Sequence, residues 1–201
     1  FTTVAQECSW FGRDGVDVFR LDLGASEVPL EVFDGVDILV HLAASVRGGE
    51  DEQFNCIAVG TERLMDAMRR SRTQRLILAS SFSVYGWQKA RGTLTEQTPL
   101  ETDLYSRGGY AIAKVWQERV VDRFCRKYGL RSLILRPGFI WGPGREYVPG
   151  VLFNLGPFAL VPGAGRALPL TFVENCARCF ALAIESFDQA DARVFNVVDA
   201  G

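Results

Sequence analysis

The 201 residues predict an α/β protein: a doubly wound parallel sheet with helices on both faces. Three observations carry this. Strand-like and helix-like segments alternate along the chain. The run VDILVHLAA (36–44) is apolar in the manner of parallel strands buried on both faces. The segment 51–70 places Phe54, Ile57, Ala58, Thr61, Leu64, Met65 and Met68 on an unbroken helical stripe.

In order, VDVFRLDL (16–23) reads as a strand and PLEVFDG as a short helix ending at Gly35. The strand 36–44 and the helix 51–70 follow, then the strand RLILAS (75–80). The next helix holds Tyr110 and Lys114 within a stripe of Ile112, Trp116, Val120 and Phe124, and stops at Gly129, a favoured helix-end residue. LRSLILRPG (130–138) is another strand. From about 142 to 172 Gly and Pro punctuate the chain, which reads as loops and short elements over one end of the sheet. A helix at about 174–186 and a strand VFNVV (194–198) pack back on the core. This divides the chain into a sheet portion, 1–141, and a partial substrate-binding region, 142–201.

Charge and composition narrow the function. With 22 basic and 24 acidic residues and no basic run, nothing points to nucleic acid. No apolar stretch approaches the roughly 20 residues that span a bilayer. The start, FTTVAQECSW, has neither the basic region nor the apolar core of a signal peptide, and no initiator methionine, which suggests a fragment. Five cysteines without a scaffold pattern read as reduced thiols, hence a cytoplasmic protein. Cys176 and Cys179 form a CxxC inside a helical pattern, with no second pair and no nearby His, and read as unpaired thiols rather than a metal or redox site.

The chemistry lies in YAIAK, 110–114. Residues four apart share a helix face, so phenol and ammonium can meet. A free tyrosine titrates near about 10, and bringing it near neutrality takes about 4 kcal/mol of preference for phenolate, which a neighbouring cation can supply. Such a group could take a proton from an alcohol or return one to a ketone. By itself YxxxK is common on helices, as a tyrosine packed under a lysine stem. In LILASSFSVYGW (76–87), however, a strand ends in Ser80, Ser81 and Ser83, where open α/β sheets bind ligands. The small residues after VHL offer close approach to a flat ligand.

Together the HLAA strand end, the SS…YG strand end and the YxxxK helix, in this order, resemble the extended short-chain dehydrogenase/reductase family, the NAD(P)-dependent sugar epimerases and dehydratases, over nearly the whole chain. The resemblance implies a Rossmann-like sheet and NAD or NADP as cofactor, with no metal. By position it implies Ser81 as the hydroxyl on the reacting oxygen, Tyr110 as the acid/base, and Lys114 as the residue that lowers its pKa and holds the nicotinamide ribose. Asp22 and Leu23 would border the adenine, Leu42, Ala43 and Ala44 the path to the ribose, and Pro137 and Ile140 the nicotinamide, with Ser80 beside them. Ser83, Phe139 and Arg145 would meet substrate. Hydride chemistry is left to the cofactor. His41, the only histidine, belongs to the HLAA segment and reads as structural.

The departures matter. The glycine-rich turn that receives the pyrophosphate is absent from these residues. GVDVFRLDL resembles the family's third strand, so the first two strands are expected to be missing, and this chain to be an internal portion of a longer enzyme that cannot bind the cofactor usefully alone. In the strand order 3-2-1-4-5-6 those two would lie between the third and fourth, leaving 16–20 without a neighbour. Phe139 stands where nucleotide-sugar enzymes carry Asn, and LPLTFVEN where many carry a diphosphate-binding arginine; Arg145 and Arg166 remain candidates. A nucleotide sugar is the first expectation for the substrate. A bulkier apolar alcohol of the hydroxysteroid type, suggested by Phe139, Trp141 and Phe153, is the second, and a non-catalytic dinucleotide sensor the third. Homodimer formation is left open.

Overall fold

In the computed structural model, which describes residues 12–86, 92–145, 153–155, 158–160, 168–190 and 193–199, strands and helices alternate as the sequence predicts. A 3-10 turn (Leu30–Phe33) precedes β1 (Ile38–His41). Then come α1 (Glu50–Phe54), a π-helical turn (Asn55–Val59) and α2 (Gly60–Arg70), followed by β2 (Arg75–Ala79) and α3 (Gly109–Tyr128). β3 (Arg131–Pro137), β4 (Phe139–Trp141), β5 (Phe153–Leu155), β6 (Phe158–Leu160), β7 (Leu170–Phe172), α4 (Val173–Glu185) and β8 (Val194–Val197) complete the chain.

β1, β2, β3 and β8 pair in that order, all in parallel. Side chains alternate across this sheet. Leu76, Leu78 and Ile134 pack with Leu64, Met65, Met68, Val121 and Phe124 beneath α2 and α3, while Ile77, Leu133 and Leu135 pack with Ala183, Phe187 and Val197 beneath α4. Both faces are therefore covered, which is why the middles of β2 and β3 carry consecutive apolar residues, Leu76–Leu78 and Leu133–Leu135, rather than alternating ones. Gly129 closes α3 at φ +70°, a left-handed backbone that glycine adopts without a Cβ penalty.

Three expectations are corrected. Residues 16–20 form no strand; Val16, Val18 and Phe19 are exposed, and no described strand flanks the outer edge of β1 to give them ladder partners. The helix over 51–70 is interrupted by the π turn, where the Thr61 hydroxyl donates to the Ile57 carbonyl at 2.6 Å and Asn55 Nδ2 donates to the Gly24 carbonyl at 2.7 Å. Side-chain bonds to the backbone of this kind compete with regular helix. The third concerns α3: Trp116 is 42% exposed and meets Phe54 edge-on, whereas the buried face carries Lys114, Gln117 and Glu118 together with Val121.

The C-terminal third adds two small sheets. β4 pairs with β7 in parallel, and β5 with β6 antiparallel. The turn into β4 needs glycine at 138, because a Cβ there would collide with the Pro169 carbonyl. That close approach lets Phe139 N–H donate to the same carbonyl at 2.7 Å. Arg166 lies outside the described residues.

Candidate active site

β1, β2 and β3 all end at one side of the sheet, and the chain leaves each of them there. Beyond β2 it turns through a 3-10 turn, Phe82–Val84, whose N-cap is Ser81 in an extended conformation. The Ser81 hydroxyl oxygen accepts the Ser83 N–H at 3.1 Å, which fixes the side chain and leaves its own proton to be given away. α3 begins at Gly109 and carries Tyr110 and Lys114 over the same strand ends.

A cavity of about 730 Å³ opens at this point. Ser80, Ser81 and Ser83 from the end of β2, Tyr110 and Lys114 from α3, and Pro137, Phe139 and Ile140 from the end of β3 all line it, as do Leu42, Ala44 and Arg145. Most of the residues singled out in the sequence thus share one cavity. Three do not. Ala43 is exposed in the loop after β1 and does not line the cavity. Asp22 and Leu23 form a turn docked on the π-helical segment: Asp22 Oδ1 accepts Gly24 N–H at 2.9 Å, and the Leu23 carbonyl accepts Arg63 at 2.8 Å. Neither lines the cavity. The walls also include residues the sequence did not assign to a site: Val46, Phe82, Arg107, Val173, Phe180 and Cys176 of the CxxC.

The hydroxyls have different tasks. Ser80 is buried and donates to Glu118 Oε1, so its oxygen belongs to a structural network. The Ser83 hydroxyl is buried at the cavity wall with no hydrogen-bond partner, a polar group that a ligand can satisfy. Arg107 is engaged with Glu101 at 3.3 Å and with the carbonyls of Tyr85 and Ser83 at 2.9 and 3.1 Å.

Lys114 is 2% exposed. Its ammonium donates to the Ala79 carbonyl at 2.7 Å and to Gln117 Oε1 at 2.9 Å, and lies 5.9 Å from the centre of the Tyr110 ring. An ammonium has three N–H donors, so one remains for the cavity. Burial pushes Lys114 down to about 8, against the opposing charge of Glu118. The Tyr110 phenol moves the other way from the sequence expectation: burial raises it, while hydrogen bonding by Ser81 and the Arg145 charge pull it down. A raised phenol is a proton donor at neutral pH, the form that protonates a ketone oxygen. His41 is buried and pushed down to about 4 by desolvation, with Lys114 adding repulsion, so it is neutral.

The residues present suit the ribose–nicotinamide half of a dinucleotide. A remaining Lys114 donor, the small walls at Ala44, Ala79 and Gly138, and the flanking Pro137 and Ile140 leave room for a flat ring beside Tyr110. Among the described residues no cluster of metal-ligating side chains occurs, and no helix is long and apolar enough to cross a membrane. Cys176 and Cys179 are free thiols, Cys176 raised to about 11 chiefly by burial.

Comparison with known proteins gives the setting. The chain is 28% identical to a 2-alkyl-3-oxoalkanoate reductase of Stenotrophomonas maltophilia, over 86% of this chain and 53% of that protein. It is 30% identical to a 3 beta-hydroxysteroid dehydrogenase/Delta 5→4-isomerase of Mycobacterium tuberculosis, over 84% of this chain and 48% of that one. The chain therefore spans about half the length of the curated relatives it matches. Among solved structures, the UDP-glucuronic acid 4-epimerase of Bacillus cereus, in complex with UDP-glucuronic acid and NAD, superimposes with a TM-score of 0.66 at 19% identity, covering 92% of this chain and 59% of that one. This likeness establishes the fold. The family model that matches is the NAD dependent epimerase/dehydratase family, over residues 3–198, and the chain belongs to that family.

Proposed function

We propose that the protein containing this chain is an NAD(P)-dependent oxidoreductase that interconverts a ketone and a secondary alcohol, with Tyr110 as acid/base. The observation that carries this reading is the meeting of Ser81, Tyr110 and Lys114 on one cavity at the strand ends. The bound nicotinamide supplies or accepts the hydride. In reduction, Tyr110 would give its O–H proton to the substrate oxygen. In oxidation, the phenolate takes the alcohol proton back. Ser81 donates its hydroxyl proton to the reacting oxygen or to the phenolate, and Lys114 presents its remaining N–H to the ribose. Free thiols at the four described cysteines support a cytoplasmic setting.

For the substrate, the cavity walls favour an apolar group beside the reacting carbon. Phe82, Phe139, Ile140, Val173, Cys176 and Phe180 supply much of the lining. The 2-alkyl-3-oxoalkanoate reductase and hydroxysteroid dehydrogenase relatives support the same class by their names. The nucleotide-sugar reading rests on Arg145, since Arg107 and Lys114, the other described cations of the lining, are engaged within the protein. Oxidation of NADH and NADPH by the full-length protein with a 2-alkyl-3-oxo acid, a 3-oxosteroid and a UDP-4-ketohexose separates the two. Turnover with either apolar ketone is expected. Turnover with the UDP-sugar alone transfers the assignment to nucleotide sugars, and none with any ketone favours a dinucleotide sensor.

A further inference from the structure

Behind Lys114 lies a buried chain of polar groups that the reaction itself does not use. Gln117, one turn along α3 and fully buried, accepts the Lys114 N–H at Oε1 and donates from Nε2 to the Thr61 hydroxyl at 2.9 Å. His41 Nε2 lies 2.8 Å from the same hydroxyl. The protons can be assigned by elimination. The Thr61 proton is committed to the Ile57 carbonyl at the π turn, so Thr61 Oγ1 can only accept from its other two neighbours. His41 therefore carries its proton on Nε2. The 3.3 Å separation of Gln117 Nε2 from His41 Nε2 is then two donors sharing one acceptor, not a bond between them. Reversing the Gln117 amide would set NH₂ against the ammonium and a carbonyl oxygen against an oxygen with no proton left to give. Both ends thus fix the same orientation.

From this geometry we infer that Gln117, held by Thr61 and His41, is a positioning residue that aims the third N–H of Lys114 at the cofactor ribose. A hydrogen bond can point a flexible side chain only if its own acceptor is held. Here one anchor is a backbone carbonyl of β2, and the other is an amide tied through Thr61 and His41 to α2 and β1. The arrangement also explains why α3 buries a glutamine where hydropathy would place an aliphatic side chain. Polar residues are buried at this cost when they are fully satisfied and specify one arrangement. The inference rests on Lys114 facing the cofactor, as proposed above.

The test is NADH affinity of the full-length protein as a function of pH, with the thermal unfolding midpoint recorded beside it. Lys114 is faced by Glu118 and Tyr110 on its own helix, by Cys56 from the π turn and by neutral His41 from β1, while Arg136 of β3 pairs with Glu118. In the wild type, affinity is expected to fall as pH rises through about 8, where the ammonium loses its proton. Gln117→Leu removes an acceptor of the charged form, so it should weaken NADH binding about tenfold near neutrality and move the alkaline limb to lower pH. Gln117→Glu places a carboxylate against the ammonium and should move the limb to higher pH. Thr61→Val should act in the direction of Gln117→Leu, with a smaller effect. Opposite shifts from Leu and Glu are not expected of a residue that only fills space. If Lys114→Met weakens binding while both Gln117 variants keep the wild-type affinity and limb, the positioning role is overturned and the cofactor role of Lys114 stands. If Lys114→Met binds NADH like the wild type, the cofactor reading itself fails, and this inference with it. Should Gln117→Leu not fold, the limb of Gln117→Glu decides.

Discussion

Replacing Tyr110 by Phe in the full-length protein should lower kcat by about 10² or more while leaving NAD(H) affinity near its wild-type value, since general acid–base catalysis is typically worth about 10²–10⁴. The phenyl ring keeps the shape of the cavity wall, and Lys114 keeps both of its described acceptors, Ala79 O and Gln117 Oε1. What is lost is the oxygen that Ser81 bonds, which in the proposed reaction would exchange a proton with substrate. Because burial raises the phenol, the loss should be greatest in the direction of ketone reduction near neutral pH, where the protonated form is the working one. Steady-state kcat in both directions, with cofactor affinity measured separately, checks this. Unchanged turnover removes Tyr110 from the reaction.

Breaking the buried ion pair at the base of the site should have the largest effect on stability. Glu118 and Arg136 are both buried and joined through two bonds, Nε to Oε1 at 2.9 Å and NH2 to Oε2 at 2.7 Å. Ser80 donates to the same carboxylate, and Arg136 NH1 donates to Tyr85 OH at 2.9 Å. Tyr85 OH in turn donates to Asn196 Oδ1 of β8 at 2.6 Å. The network thus ties β3 to α3, to the loop after β2, and through Tyr85 to β8. Arg136→Ala leaves a carboxylate buried without its cation, which costs about 3–5 kcal/mol, whereas replacing both partners with apolar residues of similar size can be near neutral. Chemical denaturation should therefore show Arg136→Met/Glu118→Leu to be clearly more stable than Arg136→Ala. Additive losses from the two sites would show that the pair acts as two independent groups.

The sequence carried the sheet well because burial on both faces leaves a direct trace: Leu76, Ile77 and Leu78 are adjacent, apolar and fully buried, and no surface element needs such a run. The failure at 16–20 has the opposite cause. An extended apolar pattern becomes a strand only beside a partner, and the outer edge of β1 offers none among the described residues. That YxxxK and the serine turn meet on one cavity was readable because their order along the chain places both at strand ends. The polar face of α3 was not. Hydropathy assigns Lys114, Gln117 and Glu118 to solvent, and only the placement of Thr61, Ala79 and Arg136 from other elements shows that each has a buried partner. The stripe of Ile112, Trp116, Val120 and Phe124 misleads for the same reason: Trp116 is half-exposed on Phe54, while the polar residues occupy the interior. The rise of the Tyr110 phenol was likewise unreadable, because i to i+4 spacing brings a lysine near without fixing where its ammonium goes.

The most direct test of the central claim is a crystal structure of the full-length protein with NAD(H) bound. The nicotinamide is expected in the cavity between Tyr110 and the end of β3, near Pro137 and Ile140, with a ribose hydroxyl accepting the third Lys114 N–H and the Tyr110 and Ser81 hydroxyls facing the substrate side of the ring. A nicotinamide seated elsewhere, with Lys114 still bonded only to Ala79 and Gln117 and the phenol remote from the ring, would contradict that claim.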